Sequence, residues 1–190
     1  FVHSDVYLSI AAKWVKKTSS VNKFGRADNC DSDVKTDIWD RANQADNQPI
    51  WLAPTAPRIH DIVSSDAADN LSGIGARTVI IYGLTDWLTH EAFEVIELEG
   101  ITPVPTTKSY VIIHRIVCVS WGVGGPNIGK ILATAQVDAT VTAQVQPGLG
   151  QTQMAIYGVP SIHKVYATQI WASILKPTGA NIAANIEMLV

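Results

Sequence analysis

The stretch that most limits what this chain can become is residues 109–120, SYVIIHRIVCVS. It is too short to span a bilayer, and its many β-branched side chains disfavour a helix, which leaves a strand. Val111, Ile113, Val117 and Val119 occupy its odd positions, and Tyr110, Ile112, Ile116 and Cys118 its even ones. Side chains on a strand alternate between the two faces of a sheet, so apolar residues at both phases require cover on both faces. A single thin sandwich covers only one face of each sheet. A helix, an arm of the chain or a neighbouring subunit must cover the other.

The remaining composition narrows the field. At 190 residues the chain suits one domain with a sizeable core and an appended arm. Apolar residues make up 47% and charged ones 16%, a balance that excludes disorder and suits a surface partly buried by other chains. The formal net charge of -3 argues against a nucleic-acid surface, which needs clustered cations to displace counterions. Lys13, Lys16 and Lys17 form the one basic cluster and read as a solvated face. No apolar run is long enough for a bilayer and no signal-peptide pattern opens the chain, so neither nucleic acid nor membrane is expected as a partner. Cys118 reads as a small buried hydrophobe and Cys30 lies in a polar loop; with no disulfide indicated, a reducing compartment of synthesis is expected.

Residues 1–23 fit a helical stripe (Val6, Ile10, Trp14) and a strand (Val6, Leu8, Ile10, Ala12) equally well. The Asp- and Asn-rich residues 24–48 have loop composition, and Pro49, Pro54 and Pro57 mark an extended arm. Strands are expected at residues 59–64, 77–82, 89–98, 109–120, 151–159, 164–175 and 183–190, with a bulge between Val95 and Ile96. From Ala133 to Gln146 odd positions carry Ala or Val and even ones Thr, Gln or Asp, which predicts a hairpin turning near Asp138 with its small residues inward. The expected fold is an all-β antiparallel β-sandwich, jelly-roll-like, with an N-terminal arm and irregular segment over residues 1–57 and the sandwich over residues 58–190.

Candidate chemistry is sparse. GGPNIGK at residues 124–130 has the spacing of a phosphate-binding loop, but Ile131 stands where a hydroxyl should reach magnesium and a strand follows instead of a helix. Asp28, Asp31, Asp33 and Asp37 crowd one loop as calcium ligands do, without the glycine and closing glutamate of an EF-hand, so Asx-turns explain them better; Asp66 and Asp69 call for the same caution. His3, His60, His90, His114 and His163 are scattered, with none at a metal-ligand spacing. Glu91, Glu94, Glu97 and Glu99 could pair as acids for glycoside hydrolysis, but within one strand they more simply line its solvated face. No Gly-x-Ser-x-Gly elbow is present. Neither an enzymatic activity nor a cofactor or metal is expected. Trp39, Trp51, Trp87 and Trp121, in loop contexts, are the aromatics placed to face a ligand such as a glycan.

Several blocks together resemble a known family: FGR at residues 24–26, TDIWD at 36–40, SDAAD at 65–69, GIGARTV at 73–79, GL at 83–84 and GQTQMAIYGVP at 150–160. As a set they resemble virion proteins of tailed bacteriophages common in aquatic bacteria. The resemblance implies a capsid-associated decoration protein, head fibre or tail-associated subunit, assembled in the host cytoplasm and located in the virion. Its implied partners are copies of itself, with a trimer as one candidate, and the major capsid or other virion proteins. It brings no catalytic residues. The chain departs from the usual blocks at Cys30 and residues 41–51. On this reading Tyr110, Ile112, Ile116, Trp171 and Ile174 lie at a subunit interface or arm-docking surface. The alternative is a receptor-binding module that grips glycan through its exposed tryptophans.

Overall fold

The computed structural model describes residues 9–10, 14–28, 35–42, 48–175 and 186–188. It is all-β with almost no helix, and no helix among the described residues is long and apolar enough to cross a membrane. Among the described residues seven strands follow in order: β1 (His60–Ser64), β2 (Ala76–Leu84), β3 (Ala92–Glu97), β4 (Val104–Pro105), β5 (Ile112–Trp121), β6 (Ile131–Ala135) and β7 (Val141–Val145). They form two antiparallel sheets, ordered β4-β1-β6-β7 and β3-β2-β5. One apolar cluster joins them. Ile62, Ile131, Ala133, Ala143 and Val145 from the first sheet meet Val79, Ile81, Ile96, Ile116 and Cys118 from the second. Trp39, Ala42 and Met154, outside every strand, complete the same cluster.

The two-phase apolarity of residues 109–120 has a local cause. Tyr82 pairs with Arg115, but the next residue, Gly83, pairs with Ile113, so His114 is an extra residue in β5. A bulge of this kind shifts the side-chain phase by one. Ile113 faces the main cluster before it, and Ile116 and Cys118 face that cluster after it. Ile112 turns instead into a smaller cluster with Leu84 and Val111, against which Trp51 and Ile156 pack. Gly83 is required here because any β-carbon would collide with the Ile112 carbonyl oxygen. Tyr110, Ile112 and Ile116, expected at a subunit interface or arm-docking surface, are buried within their own chain, and Trp51 from the segment before residue 58 packs on the cluster that holds Ile112.

The hairpin forms as β6 and β7, and Ala133 and Ala143 both point inward. The even residues of β7, expected in solvent, are buried as well. Asp40, Arg41 and Trp51 lie over them: Trp51 Nε1–H donates to Thr142 O at 2.9 Å, Arg41 Nη1 to Gln144 Oε1 at 3.2 Å, and Gln144 Nε2 to Asp40 O at 3.3 Å. The first of these takes up a backbone carbonyl of β7, the last strand of its sheet.

Three further expectations change. β3 keeps an unbroken register with β2, with no bulge between Val95 and Ile96. Of residues 151–159 only Gln151 bridges, to Val117. Residues 164–175 form no strand and belong to no sheet among the described residues; of residues 183–190 only 186–188 are described, and they form no strand.

The two sheets are tied at one end by Asp69. This fully buried carboxylate accepts Ser64 Oγ–H at 2.6 Å from the end of β1 and Ala76 N–H at 2.7 Å from the start of β2. It also accepts Ile128 N–H at 2.9 Å and Gly129 N–H at 2.8 Å from the loop entering β6. Asp69→Ala should strand these buried donors and lower the unfolding free energy by about 3 kcal/mol or more, read as a fall in the urea midpoint.

Candidate functional site

One concavity follows the outer edge of β3. It has a volume of about 540 Å³ and is walled by Glu91, Phe93, Glu94 and Val95 on one side and Thr107 and Lys108 on the other. Alternation along β3 runs against expectation. Glu94 points inward with Ala92 and Ile96, while Phe93 and Val95 stand outward with 59% and 56% of their surface exposed.

Glu94 can sit inside because donors from the β4–β5 connection meet it. Its Oε2 accepts Thr107 N–H at 2.8 Å and Thr107 Oγ–H at 2.7 Å; its Oε1 accepts Lys108 N–H at 2.9 Å and the Tyr110 hydroxyl at 3.0 Å. Burial alone would raise this carboxyl, but the four donors outweigh it and hold the group below the ordinary glutamate range. Glu91 is engaged differently, with Oε2 2.7 Å from His114 Nε2. His114 is buried against the Tyr157 ring, and Gly158 N–H approaches its Nδ1 at 3.5 Å. Burial, only partly opposed by Glu91, pulls its pKa down and favours the neutral ring. Saturated in this way, Glu94 has no free lone pair for acid-base work, and Glu91 serves to hold a histidine. The paired-acid reading of this strand therefore has no support in its geometry. Glu91, Glu97 and Glu99 are exposed as expected, and Glu94 is the exception.

A smaller recess of about 270 Å³ lies between Lys23, Arg115, Phe24 and Thr152. Lys23 Nζ donates to His114 O at 2.7 Å. Burial, then the nearby Arg115, lowers its pKa to about 8.

The remaining candidates disperse. The backbone amides of Ile128 and Gly129 in the phosphate-loop-like segment are already taken by Asp69, so that loop cradles a carboxylate of its own chain. Asp28 pairs with Arg26, and Asp37 Oδ2 accepts Trp51 N–H at 2.7 Å; Asp31, Asp33, Cys30 and His3 lie outside the described residues. Asp66 Oδ1 accepts Ala68 N–H at 2.8 Å, an Asx-turn. Among the described residues no three His, Cys, Asp or Glu side chains converge as a metal site requires. Cys118 is buried, and that burial pushes its thiol up to about 12.

The four candidate tryptophans differ in burial. Trp39 is fully buried, with Nε1–H donating to Gln48 O at 3.2 Å, so it faces no ligand; its apolar ring fills the core between the sheets. Trp51 is half-buried over β7. Trp121 pairs with Ala76 at one end of β2, while Trp87 follows the other end, so these two exposed rings form no common platform. Trp171 and Ile174 are exposed, unlike the buried β5 residues grouped with them from sequence. The exposed apolar pair Phe93 and Val95 escaped sequence reasoning; the signal was present in the phase of Ala92, Glu94 and Ile96, but the glutamate suggested the opposite face. Comparison of the chain with protein-family models, curated proteins and solved structures yields no match.

Two outcomes test this description. Trp39→Ala should destabilise the fold by about 3–5 kcal/mol, whereas Trp87→Ala should cost within about 0.5 kcal/mol, both by denaturant titration. Asp40 is buried beneath Gln153, and that burial raises its pKa from 3.8 to about 6. A raised folded-state pKa means that its stabilisation is complete below the unfolded value and is lost as pH rises through about 6. Asp40→Asn should therefore be more stable than the parent at pH 7.5, by about 1–3 kcal/mol, and this advantage should vanish by about pH 4.

Proposed function

We propose that this chain is a structural virion protein of a bacteriophage, a capsid-associated decoration or fibre subunit that acts through contacts with copies of itself and with other virion proteins. In this reading the two sheets are the layers of a jelly-roll-like β-sandwich, and the chain before residue 58 is its arm. The observation that carries assembly is misplaced apolar surface. Phe93 and Val95 face outward on a strand whose glutamate faces inward, and residues 164–175 hold out Trp171 at 86% and Leu175 at 96% exposure. Side chains of this size grouped in the open are characteristic of surfaces that meet another protein. The virion assignment rests on the blocks between residues 24 and 160 that resemble tailed-phage virion proteins. The glycan-binding alternative needs exposed tryptophans gathered at one tip, and Trp87 and Trp121 stand at opposite ends of β2.

Light scattering on the purified chain at micromolar concentration should give a mass of two or more chains, and antibodies raised against it should label intact phage particles. A stable monomer would overturn the assembly reading, and unlabelled particles the virion reading.

A further inference from the structure

β3 has an open edge. Leu98 N–H donates to Arg77 O, and the antiparallel register continues unbroken from Thr78 opposite Glu97. In such a ladder alternate residues turn their backbone groups toward the partner strand, so those of Ala92, Glu94 and Ile96 face β2 and those of Phe93, Val95 and Glu97 face away. Lys108 Nζ, donating to Phe93 O at 2.9 Å from the far side of the groove, fits that direction. No other hydrogen bond takes up the outward groups of these three residues among the described part of the chain. An edge of this kind is a template for another strand.

Residues 164–175, KVYATQIWASIL, are built as such a strand. They are rich in β-branched and aromatic side chains and contain neither proline nor glycine. Yet every one is exposed, and none makes a hydrogen bond within the described chain. The segment is anchored just before it begins. Ser161 N–H donates to Trp87 O at 2.7 Å, and His163 Nε2 lies 3.1 Å from His90 Nδ1, so the segment departs beside the first residues of β3. From that point it could pair antiparallel with its own β3 only by running to the far end and folding back. Six of its twelve residues would be spent reaching the far end of β3, and it holds neither glycine nor proline for the return turn. A neighbour's β3 has no such restriction.

We propose that residues 164–175 of one copy add as a strand to the open edge of β3 in a second copy, extending the sheet β3-β2-β5 and covering Phe93 and Val95. This rests on the self-assembly half of the proposed function and is independent of the virion half. The contact joins two different surfaces, so repetition would generate a ring or a chain of subunits.

Two full-length variants separate the partners. Val95→Pro disables the receiving edge; its N–H points away from β2, so the substitution removes no bond within the sheet. Ile170→Pro combined with Trp171→Asp disables the donor, in a segment that makes no hydrogen bond among the described residues. By light scattering each variant alone should fall to the mass of one chain with an unchanged circular dichroism spectrum, and an equimolar mixture should recover a two-chain species. Should Val95→Pro fail to fold, a synthetic peptide of residues 164–175 added in excess should dissociate the parent assembly. An oligomer that survives the donor substitutions, a mixture that stays monomeric, or an assembly indifferent to the peptide would each overturn strand addition while leaving self-assembly standing. A monomeric parent chain would overturn both.

Discussion

A single buried carboxylate connects the parts of this molecule. Asp69 takes donors from the end of β1, the start of β2 and the loop that enters β6. β1 and β6 belong to one sheet and β2 to the other, so the contact fixes how the two approach. Removing a charge from water is costly, and only a full set of donors offsets it. That requirement gives the contact its geometric strictness, because each of three segments must arrive with its donor in place. Gly75 belongs to the same arrangement, since a side chain there would occupy the position of Asp69 Oδ1.

The same logic, applied at Glu94, produces the feature that bears on function. Four donors from Thr107, Lys108 and Tyr110 make an inward glutamate acceptable. Once Glu94 faces in, the strict alternation of a strand forces Phe93 and Val95 outward. A polar network inside thus creates an apolar surface outside. The outer edge of the same strand and the segment 164–175 are alike in making few hydrogen bonds among the described residues.

How much of this was legible differs by element. The strands β1, β2, β3 and β5 and the β6–β7 hairpin follow from alternation and β-branched content, which are local properties of the chain. The burial of residues 109–120 was legible too, but its cause was not. Apolar side chains at both phases looked like a strand covered on two faces, whereas the extra residue His114 shifts one phase into the other. Residues 164–175 read as a strand, yet they pair with no strand among the described residues, because pairing needs a partner that composition cannot supply. Trp39 looked like a loop aromatic and is core, since its short polar neighbours conceal a segment that folds back over β7.

By itself, then, the sequence determined an all-β chain and the places where most strands begin and end. Only the tertiary structure decided which face of each strand is buried. That choice depends on a bulge one residue long and on donors from residues far along the chain, as Thr107 and Lys108 are from Glu94 and Ile128 from Asp69. Periodicity records that a strand has two faces; the partners that make one of them the inside are assembled only when the chain folds.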